Sequence, residues 1–344
     1  MLKSLKLSLK AAAISAVFAG SAYADGDLFI YNWTDYTSPE MIAKFEKDTG
    51  IKVTLDTYDS NETLLAKLKS GSAGYDIIVV SSDFVEIFAK EGLITKIDAP
   101  TLPGFANLDK RWIHPAWDKD NAYTIPWNWG TTSFSVNTDK VKGPIDSLKT
   151  LFEPPEEAKG MVGMFGSPSE VIALAERYLD MEPCQTDTAN MKKVQDLLLA
   201  QAPAVKLYNS DGIHERQASG ETWIHEQWNG SAVRARMENK AIKYIYPKEG
   251  VVGWMDNVAV PSSSKNIENA KKFMSFIMQP ENMALQTNFT KYANAVVGSE
   301  KFAEADLKDA PELLTPSDVK VVFTPACSPE ATKLMDRVWT RLKK

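Results

Sequence analysis

The chain has 344 residues, 44% of them hydrophobic and 24% charged, with 18 glycines, 18 prolines and two cysteines. That composition excludes a disordered chain, a collagen-like repeat and a disulfide-dense mini-scaffold, and the length points to about two domains. Thirty-nine basic against forty-five acidic residues leave a net charge of −6, which argues against a nucleic-acid partner, because tracking phosphates needs clustered Lys and Arg.

The first 24 residues stand apart. Lys3, Lys6 and Lys10 carry the only charges of this segment, an apolar run extends to Gly20, and Ala22-Tyr23-Ala24 follows. This order predicts a secretory signal peptide cleaved after Ala24. The apolar run is about half the length of a membrane-spanning helix. Cleavage removes three lysines and no acid, taking the net charge from −6 to −9. No cysteine follows the cleavage point to take a lipid, and no later stretch approaches about 18 uninterrupted apolar residues. A soluble protein outside the cytoplasm is expected.

Leu28 to Tyr31 reads as a buried strand running into Asn32-Trp33-Thr34-Asp35-Tyr36. Ser38-Pro39 opens a helix with Met41, Ile42 and Phe45 inward and Gly50 at its end. Ile51, Val53 and Leu55 alternate as a strand. Asn61 is the expected cap of a second helix, with Leu64, Leu65 and Leu68 inward and its end at Gly71. Tyr75 to Val80 is a continuous apolar run, as in a parallel strand covered on both faces. Asp83-x-x-Glu86 then opens a helix that stops at Gly92. The order β-α-β-α-β-α predicts a parallel sheet with helices on both faces.

Pro126 to Asn137 is an extended aromatic segment leaving this unit. A second alternation follows: a strand over Met161 to Phe165, a helix over Ser167 to Leu179, and a helix near Met191 to Ala200. Val251 to Pro261 is strand-like, Lys271 to Met278 helical, and Pro329 to Lys344 a basic terminal helix. No solenoid-length repeat or low-complexity linker interrupts the chain. Two α/β lobes joined by extended segments is the economical architecture. Cys184 and Cys327 are the only cysteines. In an oxidising compartment a bridge is expected, two separate buried thiols being the alternative. Without further ligands at metal spacing they do not indicate zinc.

Catalytic signatures are missing. There is no Gly-x-Ser-x-Gly elbow, phosphate loop or dinucleotide fingerprint. His225-Glu226 lacks the second histidine of a metalloprotease helix, so His214 and His225 are expected in surface or loop roles, and no metal or cofactor is implied. What recurs is an aromatic beside an acid at a strand end: Trp33-Thr34-Asp35-Tyr36, Ser81-Ser82-Asp83, Ser167-Pro168-Ser169-Glu170 and Trp254-Met255-Asp256, with Trp228 and Tyr292 in similar settings. Ligands of doubly wound sheets sit outside the carboxyl ends of the strands. Indole and phenol faces with carboxylates and no matching basic cluster suit an organic cation. Each feature has a plainer explanation. Asp83 with Glu86, and Ser167 with Glu170, match capping boxes, Asp35 can cap the Ser38 helix, and tryptophans are core residues by default.

Taken together, Tyr31 to Tyr36, Phe45 to Val53, Asp59-Ser60-Asn61-Glu62-Thr63, Trp228-Asn229-Gly230-Ser231, Pro247-Lys248-Glu249-Gly250 and Trp254-Met255-Asp256 resemble the spermidine/putrescine-binding periplasmic proteins of ABC importers. The resemblance covers essentially the whole chain beyond residue 24. It implies a two-lobed type II periplasmic binding fold with a hinge and an interlobe cleft, one lobe of residues 27–131 plus 256–301 and the other of 132–255 plus 302–344. Cys184 and Cys327 then share a lobe. It also implies an aromatic box of Trp33, Tyr36, Trp228, Trp254 and Tyr292, polar contacts from Thr34 and Ser81, and the acids Asp35, Glu170 and Asp256 for amino groups. Ser167 stands where relatives can place an aspartate, and Asp83 where they can carry tyrosine. Trp254, in place of phenylalanine, resembles the spermidine-preferring members. The implied partners are a polyamine and an inner-membrane ABC permease, with the protein acting as a monomer in the periplasm. Two other functions fit the same residues: a polyamine sensor docking on a signalling receptor, and a carrier of another cation such as agmatine or a quaternary amine.

Overall fold

The structure is a computed structural model that describes residues 26–71 and 74–344; the expected signal peptide lies outside the described residues. The first half opens with β1 (Asp27–Trp33), α1 (Pro39–Thr49), β2 (Lys52–Tyr58), α2 (Asn61–Lys69), β3 (Ile77–Ser81) and α3 (Ser82–Lys90). Strands β1, β2 and β3 pair in parallel, as the alternation predicts. Helix α1 starts where Ser38 accepts from the Met41 amide and ends at Gly50 in the left-handed region, φ 76°. Strand β3 shows why an unbroken apolar run suits this position. Ile77 and Val79 enter a core with Leu28, Phe45 and Phe273, while Ile78 and Val80 enter one with Tyr58, Leu64 and Phe88.

Two local expectations are corrected, the caps of α2 and α3, while β2 forms as expected. The cap of α2 is Ser60, whose hydroxyl accepts from the Thr63 amide. Asn61 is buried and accepts instead from the Ser81 amide, tying α2 to the end of β3. The alternating β2 buries little, Leu55 remaining 39% exposed, because β2 is an edge strand with β1 as its neighbour. Helix α3 begins one residue before Asp83, with Ser81 at the cap position and no side-chain cap bond.

The second half comprises β4 (Thr124–Asn137), α4 (Lys149–Phe152), β5 (Val162–Met164), α5 (Pro168–Tyr178), α6 (Thr188–Gln201), β6 (Val205–Tyr208), α7 (Ile213–Ala218), β7 (Ile224–Trp228), α8 (Asn229–Glu238) and β8 (Ile242–Ile245). Strand β9 (Val251–Ala259), helices α9 (Ile267–Ile277) and α10 (Pro280–Thr290) and strand β10 (Ala293–Asn294) return to the first half. Helix α11 (Ala305–Lys308), strand β11 (Val321–Phe323) and helix α12 (Pro329–Leu342) complete the chain.

One curled sheet runs β2-β1-β3-β9-β4-β7-β5-β6, and β4 and β9 carry it between two lobes. Early in β4 its neighbours are β9 and β10; later β8 and β7 take over. The pairing of β4 with β9 shifts register between Pro126 and Trp129. A separate core forms in the second lobe around Phe134, Leu151, Phe165, Leu174, Leu198 and Leu334. His225 is not at the surface or in a loop. It is fully buried in β7, with its ring filling the space a Cβ on Gly163 would need, and burial pushes its pKa down to about 3.

Cys184 and Cys327 form a disulfide, their Cα atoms 5.2 Å apart and 143 residues apart in sequence. The bridge joins the loop between α5 and α6 to the start of α12, which packs on both helices. Replacing both cysteines by serine is expected to lower the unfolding free energy by about 2–5 kcal/mol, since a long closed loop is released into the unfolded chain. Urea unfolding of the variant beside the oxidised parent measures this.

Candidate functional site

The curl of the sheet brings strand ends from both lobes to one cleft. Trp33 ends β1 with Thr34 next to it, Ser81 ends β3, Trp228 ends β7, and Trp254 and Asp256 lie along β9. Together with Tyr36, Glu170, Tyr292 and Arg234 they line a single cavity. The ring of Tyr292 meets Tyr36 edge-on at 5.4 Å and Trp254 at 5.3 Å. Trp33 meets Trp228 edge-on at 6.3 Å, and Trp228 stacks on Phe165 at 4.3 Å.

Two glycines permit this packing. A Cβ on Gly230 would stand 2.4 Å from the Tyr292 ring, and one on Gly130 would stand 2.7 Å from Trp254. The Tyr292 hydroxyl accepts from the Ser231 amide at 3.2 Å, which fixes the ring over the first turn of α8.

The acids are held as acceptors. The Ser81 hydroxyl donates to Asp256 at 2.7 Å, and Asp256 is 5% exposed. The Trp228 indole donates to one oxygen of Glu170 at 2.8 Å, while the other oxygen is buried without a partner. Glu170 therefore does not close a capping box, and the Ser167 side chain makes no cap bond. The first turn of α5 is instead served from the other lobe. Glu62 of α2 accepts from the Ser169 amide at 3.3 Å and from the Ser167 hydroxyl at 3.4 Å. Where relatives can place an aspartate, this chain has Ser167 with the Glu62 carboxylate against it.

Asp83 lies beside the main cavity, in an adjoining compartment with Asn61, Ser169 and Glu170. Asp35 is not in the cavity: it sits on an exposed turn at φ 54°. Its position in the run Trp33 to Tyr36 follows from chain continuity, but the turn aims it outward. Sequence reasoning also missed Arg234 and Glu62. Both lie within or next to the segments that carried the resemblance, Glu62 in Asp59 to Thr63 and Arg234 three residues past Ser231.

No lysine or arginine forms an ion pair with Asp83, Glu170 or Asp256 among the described residues. Burial therefore dominates their protonation. It pushes Asp256 up to about 6 and, helped by the charges of Glu62 and Asp256, Asp83 up to about 7. Glu170 is raised well above the carboxylate range by burial and by its acidic neighbours Glu226, Asp83 and Glu62. Donors beside them are also buried without partners, among them the indole N–H groups of Trp33 and Trp254. Such a collection of unsatisfied groups marks a place where a polar occupant belongs.

A pH dependence follows. The folded protein holds protons on Asp83, Asp256, Glu176 (up to about 7) and Glu226 (up to about 8) that the unfolded chain releases near pH 4. These terms stabilise the fold at low pH and are lost as pH rises through the raised values. His214 (down to about 4) and His225 oppose them below about 6.5, but are neutral in both states above it. Stability of the empty protein is thus expected to fall most steeply from about pH 6.5, where the histidines cease to oppose it, to about pH 8, where Glu226 ionises in the folded state, with a shallower slope up to about pH 7 in Asp83→Asn. Thermal unfolding across that range, with and without the substitution, tests both statements.

Among the described residues no helix is long and apolar enough to cross a membrane. The sequence profile of the bacterial extracellular solute-binding proteins matches residues 40–315. A putrescine-binding periplasmic protein of Pseudomonas aeruginosa is 33% identical over 100% of this chain and 99% of its own. A spermidine/putrescine-binding periplasmic protein of Escherichia coli is 38% identical over 79% of both chains. A solved structure from Listeria monocytogenes, described as a spermidine/putrescine ABC transporter, superposes with a TM-score of 0.87 at 29% identity, covering 92% of this chain and 98% of that one. The chain belongs to the bacterial extracellular solute-binding protein family, and is a binding protein rather than an enzyme.

Proposed function

We propose that the protein captures a polyamine, spermidine or putrescine, between its lobes in the periplasm and delivers it to an inner-membrane ABC permease. The observation that carries this reading is the set of enclosed carboxylates, Asp256, Glu170 and Asp83, that no lysine or arginine neutralises, walled by Trp33, Trp228, Trp254, Tyr36 and Tyr292. Enclosing carboxylates without partners is unfavourable, and ammonium groups would supply the missing charge through short charge-assisted hydrogen bonds. The aromatic faces suit both the methylene chain and the cationic ends. The names of the relatives from Pseudomonas and Escherichia point the same way.

In this reading the lobes are residues 27–131 with 256–301, and 132–255 with 302–344. They open about the crossing strands and close over the ligand, which drives closure by its preference for the closed state. Thr34, Ser81 and Asp256 act from the first lobe, and Glu170 and Trp228 from the second.

Calorimetry on residues 25–344, refolded to strip bound ligand, tests the proposal with spermidine, putrescine, agmatine and glycine betaine. Tight binding of a polyamine is expected, and silence towards all amines would overturn it. Asp256→Ala should weaken binding by about 2–5 kcal/mol, because an ammonium then loses its buried partner; unchanged affinity would remove Asp256 from the site. Because the empty site holds protons on Asp83 and Asp256, an ammonium ligand must displace them. Affinity should therefore rise between about pH 5.5 and 7.5. Heats measured near pH 6.5 in buffers of different ionisation enthalpy should show proton release on binding.

A further inference from the structure

Arg234 is the cation in a cavity otherwise furnished with acids. It stands on α8, a helix whose first residues carry the Tyr292 contact, and it lines the same cavity as Trp33, Glu170 and Asp256. Its Nε is buried without an acceptor, and no hydrogen bond or ion pair to its guanidinium is present among the described residues. A guanidinium cannot shed its charge, and it offers five donors and no acceptor. Arg234 is half-buried, but its Nε, like the free oxygen of Glu170, is a buried polar atom for which the chain supplies no partner.

Its neighbours show where it lies. The charges felt by Glu170 and Asp83 come from other carboxylates, Glu62 among them. Arg234 acts instead on Tyr292 and on His214, which also feels Asp35 from the rim. His214 is held neutral by burial, down to about 4, so it adds no second positive charge. The cavity and its adjoining compartment thus carry the carboxylates of Asp83, Glu170 and Asp256 along their lining, and Arg234 is the one cation among those lining residues; the acids near His214, Glu215 at 2.9 Å and Glu238 at 3.9 Å, lie outside the lining. A symmetric diamine placed along it would bring its second ammonium towards a guanidinium of like charge.

We infer that Arg234 gives the cleft a direction, so that its preferred occupant is a polyamine-like chain with a free ammonium at one end and an oxygen acceptor, an amide carbonyl or a carboxylate, at the other. The inference rests on the polyamine reading for the ammonium end and adds a requirement at the opposite end. Mono-N-acylated diamines and ω-amino acids both meet it. They share the acceptor oxygen and differ in charge.

Calorimetry with putrescine, N-acetylputrescine and 5-aminovalerate, on the parent protein and on Arg234→Gln and Arg234→Leu, separates the cases. The parent is expected to bind one of the acceptor-bearing ligands at least tenfold more tightly than putrescine. Preference for 5-aminovalerate identifies a carboxylate at the Arg234 end, and preference for N-acetylputrescine a neutral carbonyl. Arg234→Leu should lose that preference and bind putrescine several-fold more tightly, with Arg234→Gln in between, both unfolding at the parent's temperature. Putrescine bound as tightly as the others by the parent, and unaffected by either substitution, would overturn the inference while leaving the polyamine reading intact. Binding of none of the three, with none of spermidine either, would end both. If 5-aminovalerate binds but Asp256→Ala leaves its affinity unchanged, the ammonium end of the reading fails and the inference falls with it.

Discussion

Strands β4 and β9 run antiparallel across the whole molecule, and nearly every other placement depends on that pairing. Along one edge β9 holds β3 of the first lobe through Asp256 to Ala259, and further back it holds β11 through Val251 to Gly253. Along β4, β10 and β9 give way to β7 and β8 over the same stretch. The two lobes are therefore not beads on a linker but two curls of one hydrogen-bonded surface. Relative motion has to be taken up by twisting a pair of strands, and the register shift between Pro126 and Trp129 is where the ladder is already irregular. Trp254 and Asp256 sit on the pair itself, so the groups at the centre of the cleft stay fixed in the frame about which the walls turn.

Around that frame the electrostatics are arranged against the empty protein. Burial raises the protonation of Asp83, Glu170, Glu62 and Asp256, neighbouring acids add to it at Asp83 and Glu170, and indole donors are shut away unpaired. In the proposed reading each of these works against closure when nothing is bound and favours it when the complementary charge arrives. One contact works the other way. Glu62 reaches from α2 to the first turn of α5, supplying across the cleft the acceptor that Ser167 does not provide to its own helix. On that reading the arrangement seen here carries both a penalty and a latch, and a ligand has to supply only the difference.

Much of this was legible in the residues. The Ser38-Pro39 start and Gly50 stop of α1, the doubly covered β3 and the aromatic-acid pairs at strand ends follow from local chemistry. What escaped has identifiable causes. Helix α10 turns Asn282, Gln286 and Thr290 inward, so its buried face has no apolar period to detect. The packing of Ser231 and Gly230 against Tyr292, 61 residues from Ser231, depends on a strand crossing that no window of sequence contains. Asp35 was drawn into the site by its neighbours Trp33 and Tyr36, and only the left-handed turn at φ 54° puts it outside. Asp83 and Glu170 look like capping residues because each lies in the first turn of a helix, but the cap position of α3 falls to Ser81. Glu170 is turned away from the backbone of its own helix because its carboxylate accepts from the Trp228 indole.

The order in which the chain is connected has a consequence for how it is made. Strand β3 obtains its antiparallel neighbour from β9, about 180 residues later, and α5 and α6 obtain their covering helix from α12 at the far end. Neither lobe is a continuous stretch of polypeptide, so neither finishes its sheet or its core until the chain has been synthesised past both crossings. Contacts of such sequence separation form slowly, and the early β-α-β-α-β-α segment must wait with one edge of β3 unpaired. A chain of this connectivity stays open through most of its synthesis, which is the condition in which a polypeptide can still be threaded through a narrow translocation pore.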